Sequence, residues 1–525
     1  MEYDLIVIGG GPAGYLAAER AGRAGLSVLL AEKKALGGVC LNEGCIPTKT
    51  MLYSAKLYDN AVHSEKYGIT VENAVLNHEV VLNRKNKVVR TLTAGIRAKL
   101  RNSNVTVVEG SAVITGKSGE ACFTEEDGNK EGRNGDACHN ASASAAGVTG
   151  YFDVSVGDNT FKGRHILIAT GSIPVIPPIH GVVEGIADGT VLTSGAILTL
   201  KEVPGELVII GGGVIGLEMA SYYNSAGSRV TVIEMLDHVG GPTDREIAGI
   251  LMKNFSKKGI DFRLNARVTG IRYEEAADMQ SGPADITDGM PETGAAAIKA
   301  EGSLTSGGLD TFVRKAAVVF ESNGQSFEVK ADKVLLSIGR RPATEALGLD
   351  KTGVVMERGR VVTDIYGRTN VPGAYAAGDV NGISMLAHTA YREAEVCVNN
   401  ILGREDCMCY GAIPSAIYTN PEVAGVGETE ETAAEKGMDF ETLRLPMTYS
   451  GRYVAENEGG DGICKVIVDK NNKKIIGVHM IGNYSSEIIY GAAMMIEKGM
   501  TAEDTSKLVF PHPTVSEIIR EVLAE

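Results

Sequence analysis

Short apolar runs that end in glycine or an acidic residue alternate along this chain with stretches whose apolar positions recur at helical spacing. Residues 4–8 form the first run and lead into Gly9-Gly10-Gly11-Pro12-Ala13-Gly14. Residues 15–23 then read as a helix, and a second apolar run at 27–31 stops at Glu32. Helices are predicted at 52–66 and 80–100; the second carries Val81, Val88, Leu92, Ile96 and Leu100 on one face. Strands are predicted at 105–114, 152–156 and 165–169, the last closing on Thr170, Gly171 and Ser172. A run at 207–210 enters Gly211-Gly212-Gly213-Val214-Ile215-Gly216, and the strand 229–233 again stops at an acid, Glu234. Strands at 318–320, 327–329 and 333–338 follow, ending in Gly339-Arg340-Arg341-Pro342. A short strand then runs into Gly378-Asp379, and a helix from His388 continues through Val396, where His388 alone reads as a packed or capping histidine. From about residue 410 the texture becomes that of an antiparallel sheet, with strands at 416–419, 423–426, 442–446, 463–469 and 474–481. Its helices are predicted at 429–436, 485–498 and 516–523.

Gly9, Gly11 and Gly14 fit G-x-G-x-x-G with a strand before, a helix after and Glu32 at the end of the next strand. That is a βαβ dinucleotide fingerprint: glycines for a tight turn and close approach of pyrophosphate, an acid for a ribose hydroxyl. Gly211, Gly213, Gly216 and Glu234 repeat it at the same offsets, so the chain is expected to bind two dinucleotides. Glu234 accepts a hydrogen bond from a free 2′-hydroxyl and repels a 2′-phosphate, which favours NAD over NADP.

Between the first acid and the first long helix stands Gly37-Gly38-Val39-Cys40-Leu41-Asn42-Glu43-Gly44-Cys45-Ile46-Pro47-Thr48-Lys49. Gly44 permits a tight turn, and Pro47 suits the first turn of a helix. A helix starting near Cys45 points its positive end at that sulfur and lowers its pKa. Cys40 and Cys45 are therefore expected to be a close pair that cycles between dithiol and disulfide. At the other end, prolines around His512 fix an extended approach, and Glu517 lies at a helix start. Glu517 can hold the imidazole in one tautomer and raise its basicity; on its own, the segment also fits a capping turn with a surface histidine. Asp379, at a strand end, could accept from a polyol such as a ribityl chain, although taken alone it reads first as a turn residue.

Composition narrows the setting. The chain has 525 residues, enough for about three or four domains. A net charge of −15 argues against nucleic acid or an anionic membrane surface as partner. No charge-free apolar run is long enough to span a bilayer, and the strand at the start leaves no room there for a signal peptide. Eight cysteines are too sparse for a disulfide scaffold, so a reducing, cytoplasmic setting is expected. Low-complexity stretches at about 115–150 and 274–315 read as surface insertions. Cys122 and Cys138 in the first read as loosely packed thiols, and Cys407-Met408-Cys409 lacks further ligands for a metal.

With the cysteine stretch, both glycine motifs, Asp379, Tyr418-Thr419-Asn420-Pro421-Glu422 and the His512–Glu517 tail in view, the chain resembles the pyridine nucleotide–disulfide oxidoreductases, and among them the dihydrolipoamide dehydrogenases. The resemblance implies an α/β fold: two Rossmann-like dinucleotide-binding domains and an α+β C-terminal dimerisation domain. It implies an FAD-binding domain at 1–173, an NAD-binding domain at 174–341, a central domain at 342–409 completing the FAD site, and an interface domain at 410–525. Gly9, Gly11, Gly14 and Glu32 would bind FAD, with Asp379 near its ribityl chain; Gly211, Gly213, Gly216 and Glu234 would bind NAD; Gly171 and Gly339 join the cofactor-binding set. Cys45 resembles the cysteine against the flavin and Cys40 the outer cysteine that exchanges with substrate. Lys49 would lie near flavin N5, paired with Glu218. His512, held by Glu517, resembles a base supplied by the other subunit of a homodimer.

The implied activity is reoxidation of a protein-bound dihydrolipoyl group, with electrons passing through the Cys40/Cys45 disulfide and FAD to NAD+. The lipoyl group would come from another protein, in a 2-oxoacid dehydrogenase, acetoin or glycine cleavage complex. Phe510 departs from the family pattern, where many relatives carry a histidine, and implies a changed mouth to the site. The alternatives are a glutathione-type small-disulfide reductase and a mainly structural subunit of a multienzyme complex. Glu234 and the Leu41/Ile46 form of the cysteine motif speak against the first; the complete set Cys40, Cys45, Lys49, His512 and Glu517 speaks against the second.

Overall fold

The computed structural model describes residues 2–118, 150–273 and 315–525. The chain opens with β1 (Glu2–Ile8), α1 (Pro12–Arg23) and β2 (Val28–Glu32), then α2 (Gly38–Glu43), α3 (Cys45–Val62) and α4 (His78–Asn102). β3 (Val105–Glu109), β4 (Ala112–Ser118), β5 (Tyr151–Val156) and β6 (Asn159–Ile168) complete a sheet ordered β3-β2-β1-β6-β5-β4. β1 pairs parallel with both β2 and β6, which explains why Leu5, Ile6, Val7 and Ile8 are all apolar: both sheet faces are covered. Leu5 and Val7 pack with Ala17 and Ala21 of α1, whereas Ile6 and Ile8 pack with Phe152 and Val154 on the other face. The strand predicted at 105–114 breaks at Gly110, whose φ of +146° ends β3. The helix predicted from 52 begins earlier, at Cys45, and the one predicted from 15 begins at Pro12, a residue preset for a first turn.

β7 (Ser172–Pro174) and α5 (Val182–Asp188) lead into the second unit. There β8 (Val191–Leu192), β9 (Glu206–Ile210), α6 (Val214–Ser225), β10 (Arg229–Ile233), α7 (Arg245–Lys257) and β11 (Asp261–Arg263) form the second βαβ framework. β12 (Arg267–Tyr273), β13 (Ala316–Ser322) and β14 (Gln325–Ala331) form an antiparallel meander before β15 (Lys333–Leu336), which joins a parallel sheet ordered β11-β10-β9-β15-β8. α7 is absent from the sequence prediction; Asp244 caps it by accepting from the backbone N–H groups of Glu246 and Ile247. Both predicted insertions fall between paired strands: Ser118 faces Tyr151 in β4–β5, and Tyr273 faces Ala316 in β12–β13. Residues 119–149 and 274–314 themselves lie outside the described residues.

β16 (Arg340–Pro342) pairs with β7, β17 (Met356–Glu357) pairs with β18 (Arg360–Val361), and β19 (Ala374–Ala376) returns to the first sheet beside β6. α8 (Ala387–Ile401) then packs on α1 through Ala390 and Ala394. The last unit contains β20 (Ser415–Ile417), β21 (Val423–Gly427), α9 (Glu430–Glu435), β22 (Phe440–Pro446), α10 (Gly451–Glu456), β23 (Ile463–Asp469) and β24 (Ile475–Ile481). Its sheet is antiparallel in the order β20-β21-β24-β23-β22, as the alternation predicts, and α11 (Ser485–Glu497), α12 (Ala502–Ser506) and α13 (Glu517–Leu523) follow. Lys465 of β23, fully buried, donates to both oxygens of the equally buried Asp244 at 2.9 and 3.1 Å and also pairs with Glu246 and Glu430. That cluster ties the C-terminal unit to α7. Among the described residues, no helix is long and apolar enough to cross a membrane.

Candidate active site

Each glycine motif contains two kinds of glycine. Gly9 and Gly211 both adopt φ of +105°, and a Cβ on Gly14 or Gly216 would meet the carbonyl oxygen of Gly9 or Gly211 at 1.8 or 2.2 Å. Those four are required by the chain's own turn and packing. Gly11 and Gly213 are different. Their φ values of −72° and −74° suit any residue, and a Cβ on Gly213 would meet nothing within 4 Å. A Cβ on Gly11 would meet only Gly38 Cα at 3.9 Å. Each caps a helix N-terminus that no side chain caps, the place for a pyrophosphate. The chain thus keeps glycine where only a bound group needs it, and both cradles fit a dinucleotide. Glu32 and Glu234 close the loops identically: each carboxylate accepts from the middle glycine, Gly10 N at 2.7 Å or Gly212 N at 2.6 Å, and from a backbone N–H two residues on. Gly171 (φ +70°) and Gly339 (φ +113°) occupy backbone conformations that favour glycine.

The cysteine stretch is two helices, not a turn and a helix. Gly37 and Gly38 have φ of +97° and +57°, and a Cβ on Gly38 would lie 2.6 Å from Gly11 Cα. That close approach sets α2, with Cys40, against the first glycine loop, and Gly44 separates it from α3, which starts at Cys45. The two thiols hydrogen-bond each other. They differ in acidity. The hydrogen bond from Cys40 lowers the Cys45 pKa, with help from Lys49 and the helix N-terminal N–H, against burial and Glu218. The same contact, together with burial, pushes Cys40 up.

Lys49 lies one turn beyond Cys45 on α3 and donates to Glu218 of α6 at 2.9 and 2.8 Å. Asp379, just past β19, accepts from Ser172 Oγ at 2.5 Å, and Arg340 donates to Ser172 Oγ and to its carbonyl oxygen, both at 2.7 Å. Burial lowers the Arg340 pKa, opposed by the nearby negative groups of Asp379, Glu43 and Cys45. Arg340 and Ser172 are residues that sequence reasoning did not select. Their signal was modest: an arginine beside Gly339 and a serine beside Gly171, at facing strand ends. His512 Nδ1 hydrogen-bonds Glu517 Oε1 at 2.9 Å, and Glu517 Oε2 accepts from Thr514 N at 2.9 Å. The Thr514 N–H first, then His512, lower the Glu517 pKa. The dyad therefore forms within the chain, but the His512 side chain is 77% exposed and its partner is Glu517, not a thiol. Phe510 packs against the core of the C-terminal unit. His388 hydrogen-bonds the Pro414 carbonyl oxygen at 2.8 Å but is exposed, so the packed role expected of it is not what the structure shows. Among the described residues no group of three or more His, Cys, Asp or Glu is placed to hold a metal; Cys122 and Cys138 lie outside them.

The family profile described as pyridine nucleotide-disulphide oxidoreductase matches residues 3–394, and that of its dimerisation domain matches 413–523. The chain belongs to this family. It is 34% identical to the mitochondrial dihydrolipoyl dehydrogenase of Pisum sativum, over 99% of this chain and 90% of that protein. It is likewise 34% identical to the dihydrolipoyl dehydrogenase of Geobacillus stearothermophilus, over 99% and 95%. Among solved structures, the HOCl-induced flavoprotein disulfide reductase RclA of Escherichia coli superposes with a TM-score of 0.75 at 26% identity, covering 99% of both chains. The chain is an oxidoreductase of the dihydrolipoyl dehydrogenase type, and FAD and NAD are its cofactors. The family's name accounts for the two halves of the site: a nucleotide cradle at each glycine motif and a thiol pair between them.

Proposed function

We propose that this chain reoxidises a protein-bound dihydrolipoyl group with NAD+ as final acceptor, acting as a homodimer. The observation that carries the reading is the Cys40/Cys45 pair at the junction of α2 and α3, set against the first glycine loop, with Lys49 one turn beyond Cys45 and paired with Glu218. The working cycle begins from the Cys40–Cys45 disulfide. One dihydrolipoyl thiol, deprotonated by His512 of a second copy of the chain, attacks the Cys40 sulfur. The Cys40–Cys45 bond breaks and Cys45 leaves as the thiolate, a charge that Lys49 and the α3 N-terminus can stabilise. The second lipoyl thiol then attacks the lipoyl sulfur of the mixed disulfide, forming lipoyl disulfide and releasing Cys40, which takes up the proton of that second thiol. Two electrons now reside in the Cys40/Cys45 pair. When bound, FAD accepts two electrons from a thiolate and delivers hydride to NAD+.

The chain's own residues prepare each step. Glu517 fixes the tautomer of His512 by taking its Nδ1–H, leaving Nε2 free as the base. Gly11 and Gly213 leave room for the two pyrophosphates, and Glu234 selects the nicotinamide dinucleotide without a 2′-phosphate. Lys49 and the α3 N-terminus stabilise the Cys45 thiolate. The likeness to a flavoprotein disulfide reductase supports a second reading, reduction of a small disulfide at the same thiols. Turnover of dihydrolipoamide with NAD+, run beside glutathione disulfide with NADPH, separates them. The proposal expects the first to dominate; a dominant second reaction would overturn it. His512→Gln should slow dihydrolipoamide oxidation by about 10²–10⁴-fold, the usual contribution of a general base.

A further inference from the structure

Tyr418 brings the C-terminal unit to the thiol site. It directly follows β20, and the Lys49 ammonium lies 4.6 Å from the centroid of its ring. The same ammonium donates to both oxygens of Glu218, while the Tyr418 backbone N–H donates to Glu218 Oε1 at 3.0 Å. One cation is thus held by α3, α6 and the turn after β20, which belong to three separate parts of the fold. The turn is itself pinned. Lys258 donates to the Asn420 carbonyl oxygen at 3.0 Å, and Lys56, about two turns past Lys49 on α3, pairs with Glu422 at 3.3 Å. The Ser486 hydroxyl of α11 donates to the same Glu422 carboxylate at 2.8 Å.

These contacts matter because Lys49 is not enclosed. Its side chain is 31% exposed, whereas Glu218 is 4% exposed. A flexible lysine on that rim can trade its carboxylate for water unless something covers its outer side. An aromatic face does so while attracting the charge, and water excluded from the pair makes its field on Cys45 stronger.

We propose that Tyr418 is a positioning residue of this oxidoreductase, its ring holding the Lys49 ammonium one helical turn from Cys45, so that the thiol chemistry depends on the C-terminal unit being docked. The inference rests on the roles proposed above for Lys49 and Cys45. The backbone bond from Tyr418 to Glu218 does not involve the side chain, so a substitution at this position isolates the ring.

The test reads the pH dependence of alkylation by iodoacetamide at Cys45, followed by mass spectrometry, in FAD-loaded, prereduced full-length protein carrying Cys40→Ser. That background leaves a single thiol in the site. Tyr418→Leu should move the midpoint upward and slow alkylation on its acid side by about three- to tenfold, the range of a partly shielded cation–π contact. Tyr418→Phe keeps the face and should follow the parent. Glu422→Gln, which loosens the turn without touching Lys49, should shift the midpoint in the same direction by less. Lys49→Met should shift it at least as far as Tyr418→Leu. A Tyr418→Leu profile that overlies the parent while Lys49→Met shifts overturns the inference alone, as does an equal shift in the Phe and Leu variants. Lys49→Met without effect overturns the role assigned to Lys49, and the inference with it.

Discussion

Gly213 separates what the chain needs from what its cofactor needs. Its backbone is open to any residue, and an added methyl group would touch no protein atom within 4 Å. Gly213→Ala should therefore leave thermal stability within about 0.5 kcal/mol of the parent, the usual span for a substitution that disturbs no packing. NAD binding, measured by calorimetry, should fall sharply; unchanged affinity would show that no phosphate lies against that Cα. Gly216→Ala reverses the pattern, because its Cβ would lie 2.2 Å from the Gly211 carbonyl oxygen and unsettle the fold itself. The thiols make a second case at this scale. Because the Cys40 hydrogen bond, with Lys49 and the α3 N-terminal N–H, holds the Cys45 pKa below the ordinary thiol value, its thiolate persists below the usual thiol range and is lost on the acid side, where the thiolate absorbance of the reduced pair should fade. The motif spacing showed that Cys40 and Cys45 are a pair and which one starts a helix. The hydrogen bond that splits their acidity depends on α2, and nothing in the apolar pattern of six residues marks so short a helix.

Elements were legible where periodicity had room to act. The strands of the C-terminal sheet lie within about two residues of their predicted bounds, as sustained alternation allows. α7 carries Ile247, Leu251 and Phe255 at helical spacing behind the Asp244 cap, so its pattern was present in the sequence although the helix was not predicted. The insertions also gain meaning at this scale. Ser118 and Tyr151 are cross-strand partners, as are Tyr273 and Ala316, so in each case the ends of the insertion are already brought together by a ladder. Replacing 119–149, or 274–314, by a two-residue Asn-Gly turn should preserve the fold, with FAD content and melting temperature close to the parent. Loss of FAD on shortening the first stretch would show that it contributes to the first domain.

At the scale of the molecule, the site is assembled from distant segments. α3 supplies Cys45 and Lys49, α6 supplies Glu218, the turn after β20 supplies Tyr418, and the Lys465 cluster fixes the C-terminal unit to α7. The sequence marked Lys465 only as a strand residue, since burial of its charge depends on Asp244 arriving from another unit. Lys465→Ala should cost about 3–5 kcal/mol in urea unfolding, because it strands a carboxylate with no solvent access; a cost under about 1 kcal/mol would mean the cluster relaxes to water. The dimerisation domain and the exposed His512–Glu517 dyad point to a site completed across two chains. Mixing a Cys40→Ser chain with a His512→Gln chain tests this directly. Each variant alone should fail to oxidise dihydrolipoamide with NAD+ at a normal rate. After subunit exchange, each hybrid dimer should hold one intact site, with thiols from one chain and His512 from the other, restoring about a quarter of parental activity under random pairing. Activity no higher than that of the two variants assayed separately, in a preparation shown to contain hybrids, would contradict the account.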